Sequence, residues 1–182
     1  NNTRSCAQAT AWYRDVFFAE KSTKTDTYAQ IAKEAHTIPL GSEGLFFHPY
    51  LLGEDSPYWD SKLKGSFFGI RANHNRNHFA RAVYEGTAYA LNDARSGFGC
   101  RVEEFSEYIM VGGGLKNPLW TSIIVDVLGI DAHIPLHSEA SFGACMLAGI
   151  GTGIFNGLEG AVKTCVKSST YIEHNRENHK VY

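Results

Sequence analysis

Apolar residues recur at helical spacing along much of the chain and gather into short unbroken runs in between, a pattern that predicts helices joined by brief buried strands. From about Ser5 to Ala19, the residues Ala9, Trp12, Val16 and Ala19 fall near helical spacing, with Thr3 or Ser5 available as a cap, and predict a first helix. A second starts at Asp26 and carries Tyr28, Ile31, Ala32 and Ala35 on one face until Pro39 and Gly41 stop it. Leu45-Phe46-Phe47 and Ser66-Phe67-Phe68-Gly69-Ile70 read as short buried strands. They enclose a long loop, from Pro49 to Asp60, rich in turn residues and aromatics. Loops of that length inside a compact domain are usually functional or part of an interface.

The second half repeats the theme with smaller residues. From about Asn77 to Ala94, Phe79, Ala82, Val83, Gly86, Ala90 and Ala94 make an apolar stripe that only a close neighbour can cover, and Gly97 or Gly99 can end this third helix. The apolar run Tyr108-Ile109-Met110-Val111 reaches Gly112-Gly113-Gly114, after which Ile123, Val127 and Leu128 mark a buried helix face closed by Gly129. Ala132-His133-Ile134 follows as a strand, so strand, helix and strand imply a parallel crossover. A last long helix starts near Ser141 and presents Ala144, Leu147, Ala148 and Gly151 for close packing, and the tail from Tyr171 to Tyr182 is polar.

Composition narrows the function classes. With 182 residues the chain can bury one good core, so it is one domain or part of one. A net charge of -2 with scattered basic residues gives no electrostatic footprint for nucleic acid or an anionic membrane. The four cysteines, Cys6, Cys100, Cys145 and Cys165, contain no C-x-x-C pair and read as reduced, mostly buried thiols. No apolar stretch approaches the roughly 18 residues of a membrane helix, and Asn1-Asn2-Thr3-Arg4 is not a signal peptide. A cytoplasmic location is the expectation.

The triple glycine carries the clearest chemistry. A strand ending in glycines that feeds a helix N-terminus brings bare backbone to a ligand, and the free N–H groups and dipole favour phosphate. A tight turn between closely packed strand and helix would need the same residues, and on the residues alone both readings stand. The stretch is neither G-x-G-x-x-G nor G-x-x-x-x-G-K-[ST], and it lacks an acidic residue about twenty positions on, which disfavours a dinucleotide fold. Asn117 before Pro118 is an N-cap followed by proline at the first helical position; its amide could also meet a purine edge or a ribose. His74 and His78, four apart, lack a third ligand and read as cap and surface residues, while Pro135 keeps His133 and His137 off a shared face, so no metal site is expected. Gly149, Gly151 and Gly153 read as close packing and helix termination. Among Glu54, Asp55, Asp60, Glu85 and Asp126 no general base stands out, and for Glu85 and Asp126 a salt bridge or solvated helix face is expected.

Gly65-Ser66-Phe67-Phe68-Gly69-Ile70, seven further residues, and then His78-Phe79-Ala80-Arg81-Ala82-Val83-Tyr84-Glu85 together resemble the second signature of the FGGY carbohydrate kinases. The resemblance extends in register through Trp12-Tyr13-Arg14-Asp15, Pro49-Tyr50-Leu51, Pro57-Tyr58-Trp59-Asp60, Gly112 to Asn117, and Ala140-Ser141-Phe142-Gly143-Ala144, nearly the whole chain. It implies an α/β fold, the C-terminal half of an actin-like, ribonuclease H-like ATPase, truncated and helix-rich with a small mixed sheet. The domain implied is the nucleotide-binding one over residues 1–182, lacking its first strands and final helix.

In function the resemblance implies the ATP-binding half of a kinase that transfers the ATP γ-phosphate to a sugar hydroxyl, with ATP or ADP and Mg2+ as cofactors. Gly113 and Asn117 match the positions that contact the adenine nucleotide, with Gly112, Gly114 and Leu115 as neighbouring contacts. Glu54 and Trp59 are the substrate-side candidates. The general-base aspartate lies in the absent N-terminal half, so this chain is expected to hold no catalytic residue and to be inactive alone. Phe47-His48-Pro49-Tyr50-Leu51-Leu52-Gly53-Glu54 resembles the xylulose and gluconate branches, although Asp55 stands where many pentulose kinases carry arginine. Expected partners are the sugar, the N-terminal domain and a second copy in a homodimer. The alternative is a non-catalytic actin-like binding or interaction module.

Overall fold

The computed structural model describes residues 3–4, 6–18, 24–97, 105 and 107–182. Two helices, α1 (Cys6–Phe17) and α2 (Lys24–His36), lead through a 3-10 turn at Leu40–Gly44 into the antiparallel pair β1 (Phe46–His48) and β2 (Ser66–Phe68). The long helix α3 (Arg76–Ser96) follows. A second 3-10 turn at Gly113–Lys116 opens α4 (Pro118–Leu128), then β3 (Ala132–Pro135), α5 (Ala140–Gly151), α6 (Gly157–Cys165), β4 (Ser168–Ile172) and α7 (Arg176–Val181). The helices expected near Ser5, Asp26, Asn77 and Ser141 are all present within a few residues. Ser5, Ala19, Gly99 and Cys100 lie outside the described residues.

Helix α3 is the axis of the molecule. Asn75 caps it reciprocally: its Oδ1 accepts the Asn77 N–H at 3.0 Å, and His78 Nδ1 accepts the Asn75 N–H at 3.2 Å. His78 is therefore a buried cap residue, not a surface one. α3 packs against α1, α2, α4, β1 and the Leu40–Gly44 turn. Its small residues permit this: a Cβ on Gly86 would stand 2.1 Å from the Phe47 carbonyl oxygen, so β1 lies directly on the helix backbone. Ala80, Val83 and Ala88 of α3 join Ala9 and Tyr13 of α1, Ile31 of α2, Phe47 of β1 and Ile123 of α4 in one core.

A helix covered on all sides must neutralise the charge it carries. Arg81 and Glu85, one turn apart and almost fully buried, pair at 2.7 Å. The Glu85 carboxylate also accepts the Gly41 N–H at 3.0 Å, the Ser42 hydroxyl at 2.9 Å and the Tyr182 hydroxyl at 3.1 Å, while Arg81 donates to Tyr182. Hydrogen bonding to Glu85 and its charge hold the guanidinium in its charged form against the cost of burial. This salt bridge joins α3 to the 3-10 turn and to the last residue of the chain. It is not a solvated pair.

The second half holds elements that the sequence reading did not name and one helix face turned otherwise than expected. The polar tail is ordered: β4 pairs antiparallel with β3, and α7 is held by Asp126, which accepts the Asn175 N–H at 2.7 Å and the Asn178 side-chain amide at 2.8 Å. Asp126 is thus neither ion-paired nor solvated; it is buried and satisfied by neutral donors. Polar composition concealed these elements because their contacts are hydrogen bonds to α4 and β3, not apolar stripes. The stripe Ala144, Leu147, Ala148 and Gly151 on α5 faces solvent, with Leu147 64% exposed, whereas Met146 and Gly149 are buried. Gly149 packs against Phe155. Of the three described cysteines Cys145 is exposed and Cys6 and Cys165 are half-buried, against the expectation of burial; burial pushes the Cys6 thiol up to about 11.

The expected strand Tyr108–Val111 makes a single parallel bridge, Ile109 to His133, with Met110 N–H donating to His133 O at 2.9 Å and His133 N–H to Tyr108 O at 2.8 Å. With β3 and β4 it forms the small mixed arrangement, parallel on one side and antiparallel on the other. The parallel crossover through α4 is present.

Removing the Glu85 carboxylate strands a buried guanidinium. Glu85→Ala is expected to cost about 3–5 kcal/mol of unfolding free energy, whereas Lys180→Ala, which breaks the exposed pair with Glu177, should cost less than about 0.5 kcal/mol. Urea denaturation followed by circular dichroism reads both.

Candidate functional site

The glycine turn is built by three different requirements. Gly112 sits at φ 108°, ψ 173°, a conformation open essentially to glycine alone, and its N–H donates to Ser138 O at 3.1 Å. Gly114 lies against the indole of Trp120, where an added Cβ would come within 2.7 Å of the ring. Gly113 has neither constraint: a Cβ there meets nothing within 4 Å, and the residue faces open space. The fold itself gives no reason for glycine at this position.

Trp120 is held from beneath. Its Nε1–H donates to Thr87 Oγ1 at 2.9 Å, and that buried hydroxyl donates to Tyr84 O at 2.8 Å, so α3 fixes the ring on which Gly114 rests. Asn117 acts as the expected N-cap: its Oδ1 accepts the Trp120 N–H at 3.2 Å, Pro118 takes the first helical position, and Gly129 ends α4 in the left-handed conformation. The capping job occupies the amide oxygen and leaves the amide NH2. Tyr84 is the neighbouring polar group; burial pushes its phenol up to about 12, opposed by the nearby Asn117 side chain, and among the described residues its hydroxyl has no partner at good hydrogen-bond geometry.

These residues line one wall of a cavity of about 660 Å³, in the range of small-ligand sites. Gly113, Gly114, Lys116, Asn117, Pro118 and Trp120 form that wall; Ala7 and Thr10 of α1, Tyr28, Ala29 and Ala32 of α2, and Tyr84 of α3 form the rest. Of the five residues singled out in the sequence, Gly113, Gly114 and Asn117 reach the cavity. Gly112 shapes the turn, and Leu115 is half-buried outside the lining. The opposite wall escaped sequence reading because its members look like ordinary helix positions; the available signal was Ala29 and Ala32, three apart on α2. Arg14 steadies that wall, donating to the Tyr28 hydroxyl at 2.6 Å with its guanidinium 4.9 Å from the ring centre.

Glu54 and Trp59 lie elsewhere. Glu54 is buried, and its carboxylate accepts from Thr3 Oγ1 at 2.7 Å, Arg4 N–H at 3.0 Å and Asp55 N–H at 2.8 Å, while Arg4 pairs with Asp55 at 2.6 Å. It fastens the start of the chain to the aromatic loop. Thr3, one of two candidate caps for α1, is thereby directed to Glu54. Trp59 is 73% exposed at φ 51°, and neither residue lines the cavity. Beside the loop a second cavity of about 300 Å³ is lined by Phe46, Tyr50, Phe68, Tyr89 and Asp93 among others. Burial raises the Tyr50 phenol, and a hydrogen bond to Asp93 raises Tyr58. No group of three or more His, Cys, Asp or Glu side chains placed to hold a metal ion occurs among the described residues.

The sequence profile described as the FGGY family of carbohydrate kinases, C-terminal domain, matches residues 2–152. The chain belongs to this family. Among its relatives, the xylulose kinase of Lactococcus lactis is 34% identical over 174 residues, covering 93% of this chain and 34% of that protein. The gluconokinase of Bacillus subtilis is 34% identical over 155 residues, 78% of this chain and 29% of that protein. In three dimensions, ligand-bound xylulose kinase from Lactobacillus acidophilus superposes with a TM-score of 0.85 at 25% identity, over 99% of this chain and 36% of the other. The FGGY chain thus spans about a third of the length of these relatives, and its fold is that of actin-like sugar kinases. No helix among the described residues is long and apolar enough to cross a membrane.

The two inner glycines of this FGGY turn should respond differently to a methyl group. Gly114→Ala forces the Trp120 indole to move and should cost about 1–3 kcal/mol, with a changed tryptophan fluorescence. Gly113→Ala should shift stability by less than about 0.5 kcal/mol and leave the spectrum unaltered.

Proposed function

We propose that this chain is the adenine-nucleotide-binding part of an ATP-dependent sugar kinase, with Gly113 and Asn117 as its principal nucleotide contacts and Gly112, Gly114 and Leu115 as their neighbours in the same turn. The observation that carries this reading is the convergence of Gly113, Gly114 and Asn117 on one cavity whose other wall is mostly alanine and aromatic side chains, with Thr10 its one small hydroxyl residue. Such a slot suits a flat purine, and Gly113, which no intramolecular contact requires to be glycine, leaves room for a ligand against the backbone. The names of the relatives, xylulose kinase and gluconokinase, support xylulose, a related pentulose or gluconate as the acceptor of the whole enzyme.

Phosphoryl transfer needs an aligned acceptor and charge stabilisation on every side of the migrating group. When bound, ATP would supply the γ-phosphate, and Mg2+, an ion that keeps most of its water, would neutralise phosphate charge. This chain contributes the nucleotide-side wall; the rest of a longer kinase chain contributes the acceptor site and the general base. On this reading Glu54 and Trp59 lie towards the sugar end, Glu54 by fixing the loop. Ile109, Val111, Leu136, Leu147 and Ile154 are exposed apolar side chains of the kind that further chain or a second copy covers; a homodimer working in the cytoplasm is part of the same proposal.

ADP at a hundred times its dissociation constant should stabilise the chain by about 2.7 kcal/mol, visible as a raised melting temperature, while NAD should not. Equal protection by NAD, or none by ADP, would remove the nucleotide assignment. The chain alone should form no ADP from ATP with any of a panel of sugars; sustained ADP production dependent on one sugar would contradict the division of labour. Sedimentation of a clean monomer at high concentration would count against the homodimer.

A further inference from the structure

Among the described residues that line the 660 Å³ cavity, only Lys116 carries a formal charge. The remaining lining is neutral: small or apolar side chains at Ala7, Ala29, Ala32 and Pro118, and aromatic rings at Tyr28, Tyr84 and Trp120. Lys116 ends the 3-10 turn, is exposed, and takes part in none of the salt bridges among the described residues. The cavity is therefore electrically lopsided. A ligand with an apolar, flat end and a multiply charged anionic end has one favourable orientation in it, with the flat end against the alanines and rings and the anion at the lysine.

We propose that Lys116 is a specificity-determining residue of this site, a phosphate-reading ammonium that makes the cavity prefer a nucleoside diphosphate over the uncharged nucleoside and sets which way the nucleotide lies. The inference rests on the nucleotide assignment above and adds a residue that the glycines and Asn117 do not supply. The backbone at Gly113 and the Asn117 amide can contact an adenosine moiety but carry no net charge. Lys116, an exposed lining residue, adds it on a flexible stem with three donors that needs no single fixed geometry. The first turn of α4, directly after it, adds to the same positive potential through the helix dipole. Because the ammonium is in solvent, its contribution is modest and screened by salt.

The test is isothermal titration of the full 182-residue chain with ADP and with adenosine, at low and at high salt, for the native protein, Lys116→Gln and Lys116→Arg. The expected result is a loss of about 3- to 10-fold in ADP affinity for Lys116→Gln, adenosine affinity within twofold of native, a shallower salt dependence of ADP binding, and recovery of ADP affinity in Lys116→Arg. Native ADP affinity in Lys116→Gln, or an equal loss for ADP and adenosine, overturns the role of Lys116 while leaving the nucleotide site standing. A native chain that binds neither probe removes the nucleotide assignment and this inference with it. Lys116 is exposed, so all three proteins should melt together, and a melting curve of each separates lost affinity from lost fold.

Discussion

The structure depends on a helix that is enclosed. α3 has neighbours on every side, and two consequences follow directly. Its contact positions must be small, as Gly86 against the Phe47 carbonyl shows, and any charge along it must be neutralised within the protein. The Arg81–Glu85 pair meets the second requirement by drawing in Gly41, Ser42 and Tyr182, segments far apart in the chain. A burial constraint on one helix thereby becomes a long-range restraint on the Leu40–Gly44 turn and on the last residue of the chain.

The candidate site inherits its shape from the same helix. Tyr84 and Thr87, on either side of the Glu85–Gly86 pair, face the other way and hold the Trp120 indole; the indole in turn supports Gly114, and Asn117 caps the helix that carries Trp120. Turn, tryptophan and helix start form one connected unit. The glycine turn can stay open at Gly113 because rigidity is provided on either side of it. On the far side, α2 approaches through alanines, leaving a slot bounded by rings and bare backbone. A slot of this kind suits a base, and among its described lining residues the formal charge is on Lys116.

Much of this was legible in the sequence because it rests on local rules. Asn117-Pro118 and Gly129 mark the bounds of α4, and the spacing of Ala82, Gly86 and Ala90 announces a tightly covered helix. The triple glycine locates the turn, and the signature around Gly65 and His78 leads to the family. What was hidden depends on contacts between distant residues. Asp126 gives no sign in sequence that it will hold α7, since its partners, Asn175 and Asn178, lie about fifty residues on. The polar tail lacks periodicity because hydrogen bonds order it. The small-residue stripe on α5 was read as a buried face and is exposed: small residues permit close packing, but only a neighbour in place realises it. Tyr28, Ala29 and Ala32 became a cavity wall only once α2 was set opposite the glycines.

The central claim is that the glycine turn, α4 and α2 form one nucleotide slot. Amide hydrogen exchange of the chain with and without saturating ADP tests it most directly. The account predicts slowed exchange at residues 113–121 and 28–35 together, with residues 157–172 unchanged. Protection confined to the β1–β2 loop, or no change in either wall of the slot, would contradict it.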